Sequence, residues 1–549
     1  MGIRFAAIIG FFTLLYGALI FNLYNLQIKK GEAYTVKAET QLELAGLLEP
    51  VRGNIYFSDK KGNQIPAAIN KNFSFVYAVP KKIEDVKEAV ETLAPIIGKP
   101  KDFLETILSK PNDLYEPLIT KATDEQIQAI KNANLKGIYT SLEPARFYPL
   151  NNLGSQVIGF VSTNNSKDNR PIGQYGVERF YNDQLFGKEG TLTGEVVKKS
   201  EPGEDISLTI DRNIQEQAQE IVKKLIDKYQ ASAGSFIVQE PKTGKILAMG
   251  SLPNFDPNKY GLAEIHNFLN TTIQEVYEPG SVFKVLTMAA GIDSGAITPD
   301  TTYNDTGFLT LNNRTVKNWD GKAHGLTTMT GVIEQSLNIG AAFAEKKTGH
   351  KIFLKYLKAF GFEELTDINL PGERVGSLAP LETKNPTDIN FATASYGQGI
   401  SVTPLRLLSA VSALANGGVL MRPYVNIELK PKIERRVVSA QTAKKVAAMM
   451  VSAVDKAKIA QIPNYAMAGK TGTAFIPDFG QGGYTDQVIN TYVGFGPVTD
   501  PQFTILIKLD KPAGAPLAGL TVVPAFRELA EFVISYLNVS PDRLENNQP

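Results

Sequence analysis

From Phe5 to Ile28 the chain carries no charge, and Phe5 to Phe21 is almost wholly apolar. A run like this leaves water only as a helix that satisfies its own backbone hydrogen bonds, and at about 1.5 Å rise per residue it can cross a bilayer. A cleaved signal peptide is the rival reading. It is disfavoured because the apolar stretch is longer than a signal core and the following "FNLYNLQIKK" offers no small-x-small cleavage site. Arg4 and the amino terminus face Lys29 and Lys30 across the span, so the positive-inside count barely discriminates. The short N-terminal stub points to a single-pass anchor with the bulk of the chain outside the cytoplasm.

With 549 residues, 43% of them hydrophobic, the chain is long enough to build two or more domains with real cores beyond this span. The 57 basic and 56 acidic residues nearly cancel, so no whole-chain field favours a polyanion and nucleic-acid binding is not expected. Cysteine is absent, which removes disulfides, thiolate metal sites and cysteine nucleophiles together. The three histidines, His266, His324 and His350, lie too far apart in sequence to suggest a ligand pair, and neither metal nor cofactor is expected. Any serine chemistry must find its base elsewhere.

Residues 29–200 read as a mixed region in which extended pieces such as "NFSFVYAVP" alternate with amphipathic helices such as "IEDVKEAVETLAPIIG", stopped at Gly98. The charged stretch "KKSEPGEDI", residues 198–206, marks a domain boundary. Beyond it Asp211 caps a helix whose apolar residues Ile214, Ala218, Ile221, Val222 and Leu225 keep a helical period. "SFIVQE" and "KILAMG", joined by "PKTG", form a hairpin pattern; "NTYVGFGPV" and "QFTILIKLDK" form a second around "TDP". Helical and loop patterns fill the interval, and "PAFRELAEFVISYL", with Pro524 at its start, closes the region. Strands at both ends of a domain with helices between predict an α+β fold with a mostly antiparallel sheet. The tail from about Asn538 reads as loose.

The chemistry-bearing stretch is "YEPGSVFKVLTMAAGID", residues 277–293. Ser281 and Lys284 stand three apart at the head of an apolar helix, hence one turn apart on one face. A lone S-x-x-K is weak evidence, since Ser58 and Lys61 repeat it in a polar turn. K-T-G occurs at Lys242, Lys347 and Lys470, and S-x-N at Ser162–Asn164 and Ser336–Asn338. Context selects among the copies. Ser281 follows a glycine at a helix N-terminus, where backbone N–H groups favour an oxyanion. Lys470 opens "KTGTAFI", where Thr471, Gly472 and Thr473 make a strand that a substrate can approach closely. Lys242 reads as a hairpin turn and Lys347 as a helix end. Ser336 and Asn338 fall at a break between helical segments, while Ser162 heads the Asn-rich surface loop "STNNSKDN".

The ordered triple Ser281/Lys284, Ser336/Asn338 and Lys470/Thr471/Gly472 is the signature of penicillin-recognising serine acyl transferases. A lysine in a water-poor pocket has its charged form disfavoured and can serve as the base a hydroxyl needs. The plain alternative is a snorkelling lysine beside an N-cap serine, which would account for the tetrapeptide alone but not for the triple.

With these motifs the chain resembles a class B penicillin-binding protein over residues 5–537. "EPVRGNIYFSDKKGN", "ARFYPLNNLGSQVIGFV" and "GQYGVERFYNDQLFGKEG" resemble pedestal motifs; "ISLTIDRNIQ", "ASYGQGISVTPLRLLSA" and "YVGFGPV" resemble transpeptidase blocks. Asn151, Lys60, Lys61 and Val282 depart from the usual residues. The resemblance implies a stub and anchor (1–28), an elongated α+β pedestal or dimerisation domain (29–200), a β-lactamase-like transpeptidase domain with a five-stranded antiparallel sheet flanked by helices (201–540), and a tail (541–549). It implies that Ser281 attacks the penultimate D-Ala carbonyl of a peptidoglycan stem peptide, with Lys284 as base. Ser336 and Asn338 would shuttle protons and hold the substrate amide; Lys470, Thr471 and Thr473 would hold the terminal carboxylate, and the N–H groups of Ser281 and Thr473 the oxyanion. Implied partners are stem peptides, β-lactams as inhibitors, the inner membrane of a bacterium, a SEDS-type glycan polymerase and other wall or division proteins, with homodimerisation allowed. The "RFYP" and "YVGFGPVTDP" segments look more like the division type than the elongation type.

Other readings stay open. A D,D-carboxypeptidase differs only in passing the acyl group to water. A β-lactam sensor or division scaffold would bind without turnover. A class A β-lactamase would need a deacylating carboxylate, yet between Asn338 and Lys470 no Glu is followed four residues on by Asn. Neither Glu84–Asp85 nor Glu204–Asp205 stands in a glycosyltransferase's Glu-Asp-x-x-Phe pattern, so glycan polymerisation falls to a partner.

Overall fold

The computed structural model describes residues 2–25, 48–162, 171–193, 196–478, 480, 482–514 and 516–543. Asn164 of the second S-x-N and the last residues of the tail lie outside these. The chain divides into two units, residues 1–53 with 183–205, and residues 54–182 with 206–549.

In the first unit, α1 (Gly2–Tyr24) exposes Phe5, Ile8, Phe12, Leu14, Tyr16 and Phe21. Its Ala7–Tyr24 window has a mean hydropathy of 1.8 and is the one stretch among the described residues long and apolar enough to cross a membrane. In the same unit Gly53 N donates to Leu185 O (2.7 Å) and Gly203 N to Val51 O (2.8 Å). A Cβ on Gly203 would lie 1.8 Å from Leu185 O, so only glycine permits this backbone approach.

The second unit opens with a five-stranded sheet of β1 (Ile55–Ser58), β2 (Gln64–Ala78), β3 (Glu116–Ala122), β4 (Ile138–Phe147) and β5 (Ile206–Asp211), ordered β3-β2-β1-β5 with β4 also on β2. β1 pairs with β2 antiparallel and with β5 parallel. The helices α2 (Val86–Ile97), α3 (Lys101–Leu108) and α4 (Asp124–Ala133) bury Val90, Leu93, Leu104 and Ile130 with Val76 and Leu118 of the sheet. α2 stops at Gly98 in the left-handed region, φ 67°, as its sequence predicts.

Next comes α5 (Arg212–Tyr229), its first turn capped by the Asp211 carboxylate, which accepts from Asn213 N (2.9 Å) and Ile214 N (3.1 Å). The hairpin β6 (Ala233–Gln239) and β7 (Ile246–Leu252) precedes α6 (Lys284–Asp293). Short ribbons containing β8 (Thr302–Asp305) and β9 (Arg314–Lys317) lead to α7 (Met329–Gln335) and α8 (Asn338–Thr348), and then to α9 (Pro404–Ala415) and α10 (Ala440–Ala457). β10 (Ala468–Pro477), β11 (Tyr484–Gly496) and β12 (Phe503–Asp510) complete the second sheet before α11 (Val522–Leu537).

This second sheet is five-stranded, ordered β7-β6-β12-β11-β10, and antiparallel throughout. On one face Ile214, Ala218 and Val222 of α5 and Phe526, Leu529 and Val533 of α11 pack with Phe236, Val238, Ile505 and Ile507. On the other lies α9, buried from Pro404 to Leu414, with α10 against β10. Because both faces are covered, Phe503 to Leu509 is buried without alternation, which is why "FTILIKL" reads as a nearly continuous apolar run. The antiparallel α+β expectation therefore holds.

Two local expectations are corrected. Pro524 sits within the first turn of α11, which begins at Val522, where a missing N–H costs nothing. The stretch from Asn538 to Arg543 is tied down: Tyr465 Oη donates to Val539 O (2.8 Å), Ala466 N to Asp542 (2.7 Å), and Arg543 pairs with Asp455 (2.8 Å).

Candidate active site

The nucleophile candidate sits on a tight turn. Gly280 takes φ +58°, a conformation that favours glycine, and residues Gly280–Phe283 form a 3₁₀ turn before α6 starts at Lys284. The sequence expectation of an α-helix from Ser281 is thus corrected: the left-handed entry winds the first turn tighter. Since residues three apart eclipse in such a turn, Ser281 and Lys284 share a face. The turn is clamped from behind. Gly280 N donates to Gly397 O (3.1 Å), and Thr287 Oγ1 to Ser395 O (2.6 Å).

Lys284 is fully buried, as is all of α6 through Ala290. Its amine donates to Ser336 O (2.5 Å) and Asn338 Oδ1 (2.7 Å), with Ser336 Oγ at 3.4 Å. Ser336 is half-buried between α7 and α8 at φ 59°, the predicted helical break. Lys470, on β10, reaches the same hydroxyl from the opposite side, donating to Ser336 Oγ (2.9 Å), Thr471 O (3.2 Å) and Thr471 Oγ1 (3.2 Å). Burial pushes the Lys284 amine well below the ordinary lysine value, and the Lys470 charge pushes it further. Burial alone brings Lys470 down to about 7. Two amines converge on one hydroxyl, and both are held toward neutrality.

Hydrogen-bond counting then gives Lys284 a definite capability. A neutral amine has two hydrogens and one lone pair; Ser336 O and Asn338 Oδ1 are pure acceptors and take both hydrogens. The lone pair is left for the Ser336 hydroxyl at 3.4 Å, through which a proton can pass to it. The Ser281 hydroxyl is half-buried and makes no hydrogen bond among the described residues, as is common before substrate closes a catalytic contact.

β10 is the edge of its sheet, so its outer side offers backbone groups to an added strand. It runs tightly along the nucleophile turn. A Cβ on Gly472 would stand 2.8 Å from Pro279 O and 3.0 Å from Val282 Cγ2, and one on Gly280 3.4 Å from Thr473 O. Thr473 Oγ1 accepts from Ala518 N (3.1 Å). Ser281, Lys284, Ser336, Asn338, Lys470, Thr471, Gly472 and Thr473 therefore converge on one site around the Gly280–Phe283 turn and β10.

The competing motif copies do not. Ser58 Oγ donates to Ile210 O (3.2 Å), Lys242 pairs with Asp500, and Lys347 lies 5.6 Å over the Phe343 ring at the end of α8. The histidines face Glu275, Asp320, Glu345 and Asp388 rather than the serine. Among the described residues no group of three or more His, Cys, Asp or Glu could hold a metal ion.

With this geometry, the match of residues 234–531 to the Penicillin binding protein transpeptidase domain and of residues 47–217 to the Penicillin-binding Protein dimerisation domain is decisive. The chain belongs to the class B penicillin-binding proteins. It is 29% identical to "Stage V sporulation protein D" of Bacillus subtilis strain 168, covering 96% of this chain and 86% of that one. It is 26% identical to the "Probable peptidoglycan D,D-transpeptidase PenA" of Neisseria gonorrhoeae over 95% of this chain and 89% of that one. Penicillin Binding Protein 2X from Streptococcus thermophilus shares the fold, with a TM-score of 0.72 at 23% identity over 90% of this chain and 81% of that one.

Sequence reasoning about this class B penicillin-binding protein missed two sets of supporting contacts, made by Glu278 and by Lys317 with Asn318. Glu278 accepts from Gly399 N (3.0 Å) and Tyr484 Oη (3.1 Å), tying three segments around the nucleophile turn. Lys317 O accepts from Asn338 Nδ2 (2.8 Å), and Asn318 Oδ1 from Asn338 N (3.0 Å). Neither contact has a local signal, because each joins segments far apart in sequence.

Proposed function

We propose that this class B penicillin-binding protein is a serine-type D,D-transpeptidase that cross-links peptidoglycan stem peptides and is acylated by β-lactams. The observation that carries the reading is the buried, charge-disfavoured Lys284 amine one turn from Ser281, with both acceptors Ser336 O and Asn338 Oδ1 on it and the Ser336 hydroxyl beside it. Ser281 Oγ attacks the carbonyl between the two terminal D-Ala residues as its proton passes to Lys284. The oxyanion lies against the N–H groups of Ser281 and Thr473. As the C–N bond breaks, the proton returns to the departing D-Ala amine, with the Ser336 hydroxyl as relay. An amine of a second stem then attacks the acyl-enzyme ester and loses its proton to Lys284, which hands it to Ser281 Oγ as the C–O bond breaks and frees the serine. Lys470, charged by the approach of the substrate carboxylate, holds it with Thr471 and Thr473.

In this reading α1 is a single-pass anchor, residues 29–200 are a pedestal, the transpeptidase domain works outside the cytoplasm, and glycan strands come from a SEDS-type polymerase, in keeping with a division role. Labelling by a fluorescent penicillin, lost in Ser281→Ala, tests the nucleophile. Labelling that persists in that variant refutes it. Reconstituted stems separate the transferase from a carboxypeptidase or a scaffold: cross-linked dimers are expected, whereas trimmed stems alone, or no turnover, would overturn the assignment.

A further inference from the structure

Asn338 can help Lys284 only in one of its two amide orientations. With Oδ1 toward the amine it takes a hydrogen; flipped, Nδ2 would donate to the lone pair and consume the base. The lock against the flip is the acceptor Lys317 O, which faces Nδ2 at 2.8 Å at the end of β9. The next residue, Asn318, is buried at 4% exposure and accepts at Oδ1 from both Asn338 N (3.0 Å) and Ile339 N (3.2 Å). It thus caps α8, whose own N-cap residue Leu337 has no side chain able to do so.

Asn318 has its own flip, and Asp305 decides it. Asn318 Nδ2 donates to Asp305 Oδ1 (2.9 Å) and Oδ2 (3.0 Å), and to Lys322 O (3.1 Å). Asp305 is 1% exposed at the end of β8. Tyr303 Oη (2.5 Å), Gly307 N (2.8 Å) and His324 N (3.4 Å) also donate to its carboxylate. Burial works to raise its pKa, yet these donors hold it below the usual carboxylate value, so the group accepts only.

Resting on the transpeptidase reading, we propose that Asp305 and Asn318 are positioning residues for the acylation step. An ionised Asp305 fixes the amide of Asn318; Asn318 seats the first turn of α8 and the end of β9; these two hold Asn338 with its oxygen on Lys284. Neither touches substrate.

The test exchanges the two side chains. In Asp305→Asn the ordering acceptor is lost, and in Asn318→Asp two carboxylates face each other; each single variant is expected to be acylated by a fluorescent penicillin roughly 100-fold more slowly, as for a small misplacement of a catalytic group. The loss falls in the acylation rate constant rather than in the preceding binding constant, because Lys470 and Thr471 are untouched. In the double variant Asp305→Asn/Asn318→Asp, donor and acceptor are exchanged between the two side chains and α8 is still capped, while Lys322 O loses its donor, so part of the rate returns. Single variants that acylate at the wild-type rate overturn the proposal, as does a folded double variant no faster than the slower single. If a single variant fails to fold, the folded double variant is compared with the wild type, and a rate still roughly 100-fold below it overturns the proposal. Ser281→Ala is run alongside: its labelling would refute the acyl-enzyme mechanism itself, a result distinct from failure of the exchange.

Discussion

Replacing Lys470 with Met isolates what the cleft does to an amine. Lys470 is 4% exposed and its pKa falls from 10.5 to about 7. Between those values the unfolded chain binds a proton that the folded chain does not. Stability must therefore rise with pH across this window, by about 1.4 kcal/mol per unit and roughly 5 kcal/mol in all. Below pH 7 both states are protonated and the full penalty is in place. Lys470→Met removes this contribution to the slope and leaves that of Lys284, whose amine burial also holds down. At pH 7 the variant is relieved of about 4 kcal/mol, offset by the amine's three hydrogen bonds to Ser336 and Thr471 at about 1 kcal/mol each, for a net gain of about 1 kcal/mol. Near pH 10 the sign reverses and the wild type is more stable. Urea unfolding of the detergent-solubilised full chain from pH 6 to 10 measures this. Trp319, the single tryptophan, reports beside the site, where its Nε1 donates to Gln335 O (2.9 Å). Parallel stability profiles for variant and wild type would refute the reasoning, since no hydrogen-bond correction can cancel a difference in slope.

Other perturbations have equally definite outcomes. Gly472→Ala drives a methyl to 2.8 Å from Pro279 O, so β10 must retreat from the nucleophile turn; penicillin acylation should fall about 100-fold, and an unchanged rate would show that the strand does not shape the cleft. Glu178→Ala removes the carboxylate partner of Arg146 (2.7 Å), a pair with side chains 6% and 0% exposed, and should cost about 3–5 kcal/mol by urea denaturation; a loss below about 1 kcal/mol would count against a buried charge there. Asp211→Ala strips the cap of α5 and should lower stability by about 1–2 kcal/mol, with no change in the acylation rate constant measured on the folded protein.

Much of the site was legible because its parts are local. The Ser281/Lys284 spacing, the break at Ser336 and the small-residue strand at Lys470 each declare themselves within a few residues, and so do the hairpin turn at Lys242 and the helix end at Lys347 that discount the spare motifs. Asn318 was not legible. It caps a helix from a distant ribbon, and its neighbour "WDGKAH" reads as an ordinary polar loop. The anchoring of Asn538 to Arg543 was missed for the same reason, since Asp455, Tyr465 and Ala466 reach it only in three dimensions.

Short-range rules therefore settled the uncharged span, the antiparallel hairpins, the capped helices and the pairing of a hydroxyl with an amine one turn away, because sterics and hydrogen bonding between near neighbours determine each of them. Whether that amine is held toward its neutral form was decided only by packing. α6 had to be enclosed on every side for its lysine to lose water, and β10 had to bring Lys470 to the same Ser336 hydroxyl. Desolvation is a sum over atoms from the whole fold, and no stretch of sequence contains it.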